Sequence, residues 1–251
     1  MGIDYANVTL LGAVVRNPEP RLNANQTPFI DVSFAGEQPV SGFRGEAKTI
    51  PWYLTARFQG RWIEATKLLS AGAVAVVTGS LEQWVKHQET PNDLQSRIIP
   101  SRFEIIADYP SAMMLEDKTG GFRFAGGLNR VTLIGNLTRD PEHKKVEGQS
   151  VVKMAMAVNT AASREPKKVV FLNLDAWGDL SFRTKNLARG SRVLVMGNIS
   201  MNRWKNAEGQ SRSSLSVDVN DLERIDPISN GNSITRNPDP FFNDPILGFN
   251  P

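Results

Sequence analysis

Val8-Thr9-Leu10-Leu11-Gly12-Ala13-Val14-Val15-Arg16-Asn17-Pro18-Glu19 returns later in the chain as Val131-Thr132-Leu133-Ile134-Gly135-Asn136-Leu137-Thr138-Arg139-Asp140-Pro141-Glu142, with seven of twelve positions identical. Similarity at that density marks an internal repeat. Further along, Gly60, Gly72 and Gly79 stand against Gly178, Gly190 and Gly197 at a constant offset of 118 residues, in matching apolar surroundings. The duplication therefore spans whole domains. A chain of 251 residues with 40% hydrophobic content is long enough for two such units, each with its own core.

Within each copy the apolar residues alternate at strand period, interrupted once by a helical stretch. Strands are predicted over 8–15, 28–36, 50–59, 73–84 and 97–107, then over 131–138, 151–159, 168–177, 191–204 and 213–224. A short helix falls between the third and fourth strand of each copy, from Arg61 to Ser70 and from Asp179 to Ala188, with Gly72 and Gly190 placed to cap its C-terminus. Five strands with a helix after the third is the order of the OB-fold. The expected architecture is mainly all-β: two tandem five-stranded Greek-key OB barrels.

The first domain is read as residues 1–115 and the second as 128–226. The Gly-rich, polar stretch 116–127 reads as a linker. Residues 227–251, rich in Asn, Pro and Ser without periodicity, read as a disordered tail. Net charge is −1 over 1–115, zero over 116–126, +5 over 127–226 and −1 over the tail. If a polyanion binds, the second copy supplies most of the attraction.

Composition narrows the function classes. The chain has no cysteine, which removes disulfides, thiolate metal sites and cysteine nucleophiles. It shows no basic-then-apolar leader and no apolar run long enough to span a bilayer, so the expectation is a cytoplasmic protein with no membrane association. His87 and His143 are the only histidines, one in a loop of each copy, and each reads as a solvated side chain. No phosphate-binding loop, zinc-protease motif or spaced carboxylate set is present, so neither an enzyme nor a cofactor is expected.

The chemistry lies on the polar side of the strands. In Val170-Phe171-Leu172-Asn173-Leu174-Asp175-Ala176-Trp177, the even-numbered residues make an apolar face, leaving Phe171 and Trp177 on the other beside Asn173 and Asp175. In the first copy Trp52, Leu54, Ala56 and Phe58 face the core, while Tyr53, Thr55, Arg57 and Gln59 face out; Trp62 reads as helix packing. Parity along the fourth strands adds Trp84 and Trp204 to the polar face. A flat ring on a solvated sheet can stack on a nucleobase for about 1–3 kcal/mol with little sequence preference, while cations follow the phosphates. The candidate cations are Arg57, Lys86, Arg203, Lys205, Lys144, Lys145, Lys167 and Lys168, with Arg139, Arg212 and Arg130 as weaker ones. Packing against another subunit is the competing role for the rings, and simple solvation for the lysine pairs. An OB barrel for RNA, oligosaccharide or protein is the alternative reading.

The stretch Val131 to Glu142, and Leu187-Ala188-Arg189-Gly190 leading into Val193-Leu194-Val195-Met196-Gly197, resemble bacterial single-stranded DNA-binding proteins. The resemblance covers about residues 6–226 and is more specific in the second copy. Two barrels in one chain, with Pro51-Trp52-Tyr53 in the first, resemble the form found in the Deinococcus and Thermus group. It implies base-stacking roles for Phe171, Trp177, Trp204, Tyr53 and Trp84, with Gln59 a departure where Trp177 has its counterpart. It also implies single-stranded DNA as the partner, work in DNA replication, recombination and repair, location at the nucleoid, and a homodimer with four barrels. Family members recruit replication and repair proteins through an aspartate-rich tail closing in Pro-Phe. Here Asp239-Pro240-Phe241-Phe242 only echoes that ending, and the tail is not acidic.

Overall fold

The computed structural model describes residues 4–41, 47–85, 94–146, 148–160, 169–205 and 211–225; for 40–41, 47, 85, 94, 201–205 and 211–214 only the backbone is described. The strands are β1 (Tyr5–Val14), β2 (Pro20–Leu22), β3 (Pro28–Ser41), β4 (Ala47–Gln59), β5 (Val74–Val85), β6 (Leu94–Ile106), β7 (Met114–Glu116), β8 (Phe122–Phe124), β9 (Leu128–Leu137), β10 (Glu142–Val146), β11 (Gln149–Asn159), β12 (Val169–Trp177), β13 (Arg192–Lys205) and β14 (Ser211–Arg224). Two short helices, α1 (Trp62–Thr66) and α2 (Leu180–Arg183), follow β4 and β12.

Each copy closes on itself. In the first, β1 pairs with β5, β5 with β6, β6 in parallel with β4 at Ile98 and Ala56, β4 with β3, and β3 back with β1 at Ala35 and Ala13. The second repeats the circuit through β9, β13, β14, β12 and β11. These are the two tandem OB barrels expected from the order of elements. The inward residues are the alternate ones: Val170, Leu172, Leu174 and Ala176 line one barrel, Trp52, Leu54, Ala56 and Phe58 the other, all buried. Full burial of the Val, Leu and Phe side chains among them stabilises by about 1.5–3 kcal/mol each. Phe58 also meets Phe103 edge-on, ring centroids 5.2 Å apart.

The barrels join through their first strands. β1 and β9 run antiparallel with Val8 opposite Val131, the two residues that the repeat aligns, so a local two-fold passes between them. Asp4 adds a polar lock: its carboxylate accepts hydrogen bonds from Arg192 at 2.7 Å and from the Asn159 backbone N–H at 3.0 Å. Burial works to raise Asp4, but these bonds outweigh it and hold the carboxyl below its ordinary value.

The structure differs from the sequence expectation in its helices, in the linker stretch and in the number of strands. The helices are single turns rather than ten residues long. In each, a buried threonine hydroxyl, Thr66 or Thr184, donates 2.7 Å back to the carbonyl three residues earlier, Ile63 or Ser181, which competes with continuation of the helix. Gly72 and Gly190, at φ +83° and +88°, lie beyond the helix ends rather than capping them. They turn the chain so that their N–H groups donate to Val14 O at 2.9 Å and Leu137 O at 2.8 Å. In the stretch read as a linker, β7 and β8 pair as a hairpin against the first barrel. Phe124 is buried there with Ala13 and Val74. Strand β10 also extends the sheet beside β11, past the five strands expected.

Gly79 and Gly197 sit at the bulges where β5 and β13 shift register. A Cβ would lie 2.1 Å from Ile99 O at Gly79 and 2.4 Å from Asp218 O at Gly197. Because the obstruction is backbone, Gly197→Ala should destabilise the protein by about 3 kcal/mol, the upper end of what overpacking usually costs. Urea unfolding measures this; a loss under about 0.5 kcal/mol, ordinary for a surface substitution, would contradict it. Among the described residues no helix is long and apolar enough to cross a membrane.

Candidate nucleic-acid interface

Register sets the outward face of the second barrel as a grid. Along β12, Phe171, Asn173, Asp175 and Trp177 share it, and six residues of extended strand put the Cα atoms of the two aromatic residues about 20 Å apart. Phe171 is 52% exposed and Trp177 37%. Lys144, Val151 and Trp177 lie in one row across β10, β11 and β12, which puts Lys144 on the Trp177 side. The neighbouring row runs Glu142, Lys153, Asp175 and Asp218. Lys153 pairs with Asp175 at 3.0 Å, while burial, and then the facing Asp175 carboxylate, push Asp218 above its ordinary value. The middle of the face thus sets three carboxylates against one ammonium, and the further cations, Lys144 and Lys145, lie at its β10 margin.

Trp177 also borders a groove of about 930 Å³ whose far side is formed by Gln38, Pro39 and Ile50 of the first barrel. Phe182 of α2 borders the same groove and is 60% exposed. Nothing in the strand alternation marks Phe182. The available signal is the 118-residue offset, which sets this ring against Glu64.

The first barrel is furnished differently. Tyr53 is half-buried, and its hydroxyl donates to Asp117 Oδ2 at 3.3 Å in the β7–β8 turn. Arg57 is committed to Asp31 through two bonds of 2.7 and 2.6 Å and lies 3.9 Å over the Phe29 ring. Trp84 is 37% exposed, with the Arg97 guanidinium 4.4 Å above its ring and Arg97 itself held by Glu82 at 2.6 Å. A cation on one face of an indole attracts it to the ring quadrupole and leaves a single face for a further partner.

Among the other sequence candidates, Lys145 is exposed on β10 and Arg139 after β9, and Lys144 shares an exposed pair with Glu142 at 2.8 Å. The backbone of Trp204 pairs with that of Arg212, and Arg203 and Lys205 flank it on β13, but these side chains lie outside what is described. Lys86, Lys167, Lys168 and the tail 227–251 lie outside the described residues altogether. Arg130 is exposed on β9, on the outer face of the joined sheet.

Gln83 of β5 joins the two faces. Its amide brackets the Phe171 backbone, Nε2 donating to the carbonyl at 2.9 Å and Oε1 accepting the N–H at 2.7 Å. This amide stands where a neighbouring strand would otherwise pair. Gln83→Leu keeps the bulk and removes both bonds, so it should cost about 1 kcal/mol in unfolding and speed amide exchange at Phe171. Unchanged exchange there would remove the bracket from the account.

The hairpin turn is held by Asp117, whose carboxylate accepts from the Thr119 hydroxyl, the Gly121 N–H and the Thr119 N–H at 2.7–2.9 Å. These bonds, with the one from Tyr53, lower its pKa from 3.8 to about 2. A depressed carboxyl stabilises the turn above its ordinary pKa and loses that effect as pH falls through the folded value. Amide exchange at Gly121 should therefore accelerate between pH 3.8 and 2. In Asp117→Asn the same window should show no transition.

Residues 128–225, nearly all of the second barrel, match the family described as single-strand binding protein family. The single-stranded DNA-binding protein of Deinococcus radiodurans is 31% identical, over 87% of this chain and 75% of its own length. That of Thermus aquaticus is 32% identical, over 86% of this chain and 83% of its own. The crystal structure of the wild-type Thermus aquaticus protein superposes with a TM-score of 0.68 at 26% identity, covering 94% of this chain and all of the other. Both barrels are therefore matched in sequence and in fold, and the chain belongs to the single-strand binding protein family, whose members are binding proteins rather than enzymes.

Proposed function

We propose that this protein binds single-stranded DNA with little sequence preference, by stacking bases on Phe171 and Trp177 and by engaging phosphates with cations at the margins of that face. The observation that carries the reading is the pair of exposed rings, Phe171 and Trp177, on the polar side of β12. The ligand named for the Deinococcus and Thermus relatives supports the same choice. Trp204, with Arg203, Lys205 and Arg212 near it on the β13–β14 hairpin, extends the site, as do Lys144, Lys145, Lys167, Lys168 and Arg139. The first barrel contributes Trp84 and Lys86, while Tyr53 and Arg57 act there mainly through Asp117 and Asp31. Its domain, 1–115, does less of the binding than 128–226.

The working assembly is a homodimer of four barrels. Its support is an apolar row, Leu194, Ile134 and Tyr5, that crosses both barrels on the outer face of the joined sheet beside exposed Met196. Replication, recombination and repair at the bacterial nucleoid, in the cytoplasm, are the processes such a protein serves.

Titration with oligo-dT should quench tryptophan fluorescence, with affinity falling as salt rises and duplex of equal length binding far more weakly. Loss of one stacking ring in Trp177→Ala should weaken binding about 5- to 150-fold without unfolding the chain, equivalent to the 1–3 kcal/mol of one stacked base. Absence of both quenching and a mobility shift in the native protein would refute the stacking reading.

A further inference from the structure

The 118-residue offset places α1 and α2 in equivalent positions with different equipment. In the first barrel Glu64 pairs with Lys67 at 2.7 Å, an ordinary exposed ion pair one helical turn apart. In the second, Phe182 stands in place of the glutamate and Lys185 in place of the lysine, its ammonium 4.8 Å from the ring centroid. The exchange removes a negative charge and presents a solvated ring beside a cation. It does so at the junction of two depressions. On one side lies the groove under Trp177; on the other, a pocket of about 300 Å³ bordered by Lys144, Lys145 and Lys185. Lys144 also shares the cross-strand row of Trp177.

Resting on the single-stranded DNA reading, we propose that Phe182 is a further base-stacking station, with Lys185, Lys144 and Lys145 engaging the adjoining phosphates. The strand would then run from Phe171 past Trp177, over α2 and onto β10. A ring left exposed forgoes the stabilisation of burial. Three lysines around one ring supply what a nucleotide needs on both its parts, a π-face for the base and positive charge for the phosphate. The first barrel, with Glu64 at this place, repels the same ligand, so the station belongs to the second barrel alone.

The test uses the full chain, with Phe182→Ala and Phe182→Glu, the latter restoring the charge pattern of the first barrel. Oligo-dT of about 4 and about 16 nucleotides, the two ends of the usual OB-fold site size, are titrated against tryptophan fluorescence, which neither substitution removes. The long oligomer should bind Phe182→Ala at least about 5-fold more weakly than native protein, matching one lost stack, and Phe182→Glu more weakly still. The short one should lose less, since Phe171 and Trp177 remain to hold it. Lys144→Ala with Lys145→Ala should reduce the salt slope of the long oligomer by about 1.4, two phosphates at about 0.7 each. Native binding of the long oligomer with no change in either Phe182 variant would overturn the station and leave the proposed function standing. Absence of native binding would instead remove both. A change of assembly mass in Phe182→Ala, read by sedimentation, would assign the ring to contact between copies and overturn the proposal.

Discussion

The antiparallel pairing of β1 with β9 is the constraint on which the rest depends. Each barrel uses its own first strand twice, closing itself along one edge and holding the other barrel along the opposite edge, so the same strand sets the interior of each unit and the angle between them. With Val8 opposite Val131, the two binding faces are related by a near two-fold rather than stacked at random. Gln83 can therefore reach from the end of β5 to Phe171 in the other unit. Covalent joining turns what would be an association between two chains into an intramolecular contact at high effective concentration. The first and second copies are then free to differ, because a substitution in one is not imposed on the other.

They have differed in consistent ways. On one side of the molecule an aromatic hydroxyl is tied to a turn, an arginine is tied to Asp31, and a helix carries an ion pair. On the other side exposed Phe171 stands in place of the tyrosine and exposed Phe182 in place of the helix glutamate, while Asp175, in place of the arginine, keeps an ion pair of its own with Lys153. The β7–β8 hairpin adds to the imbalance, since it covers part of the first barrel beside Tyr53.

Much of this was legible from residue order. The alternation in β4 and β12 separates buried side chains from those at least partly open to solvent at every one of Trp52 to Phe58 and Val170 to Leu174, because a strand buried on one face must alternate. At Asp175 the rule weakened: the residue faces outward yet is nearly covered, paired to Lys153 across the sheet. What alternation could not give was the partner of each outward side chain. Asp31 for Arg57, Arg97 for Trp84 and Asp117 for Tyr53 come from adjacent strands or from the hairpin, and only register brings them together. The helices are shorter than the pattern predicts for a local reason, since the polar Thr66 and Thr184 look neutral in a helical pattern until their hydroxyls turn back on the chain. Phe182 was hidden by its place in a predicted helix, where an apolar residue passes as packing.

The Gln83 bracket has a consequence for how the binding face can vary. It holds peptide atoms, so it fixes where residue 171 sits and which way its side chain leaves the strand, without any demand on what that side chain is. The joint between the barrels and the choice of ring are thus separable properties of one position. Tyrosine or tryptophan could replace phenylalanine there and adjust the grip on a ligand while the architecture around it stayed as it is.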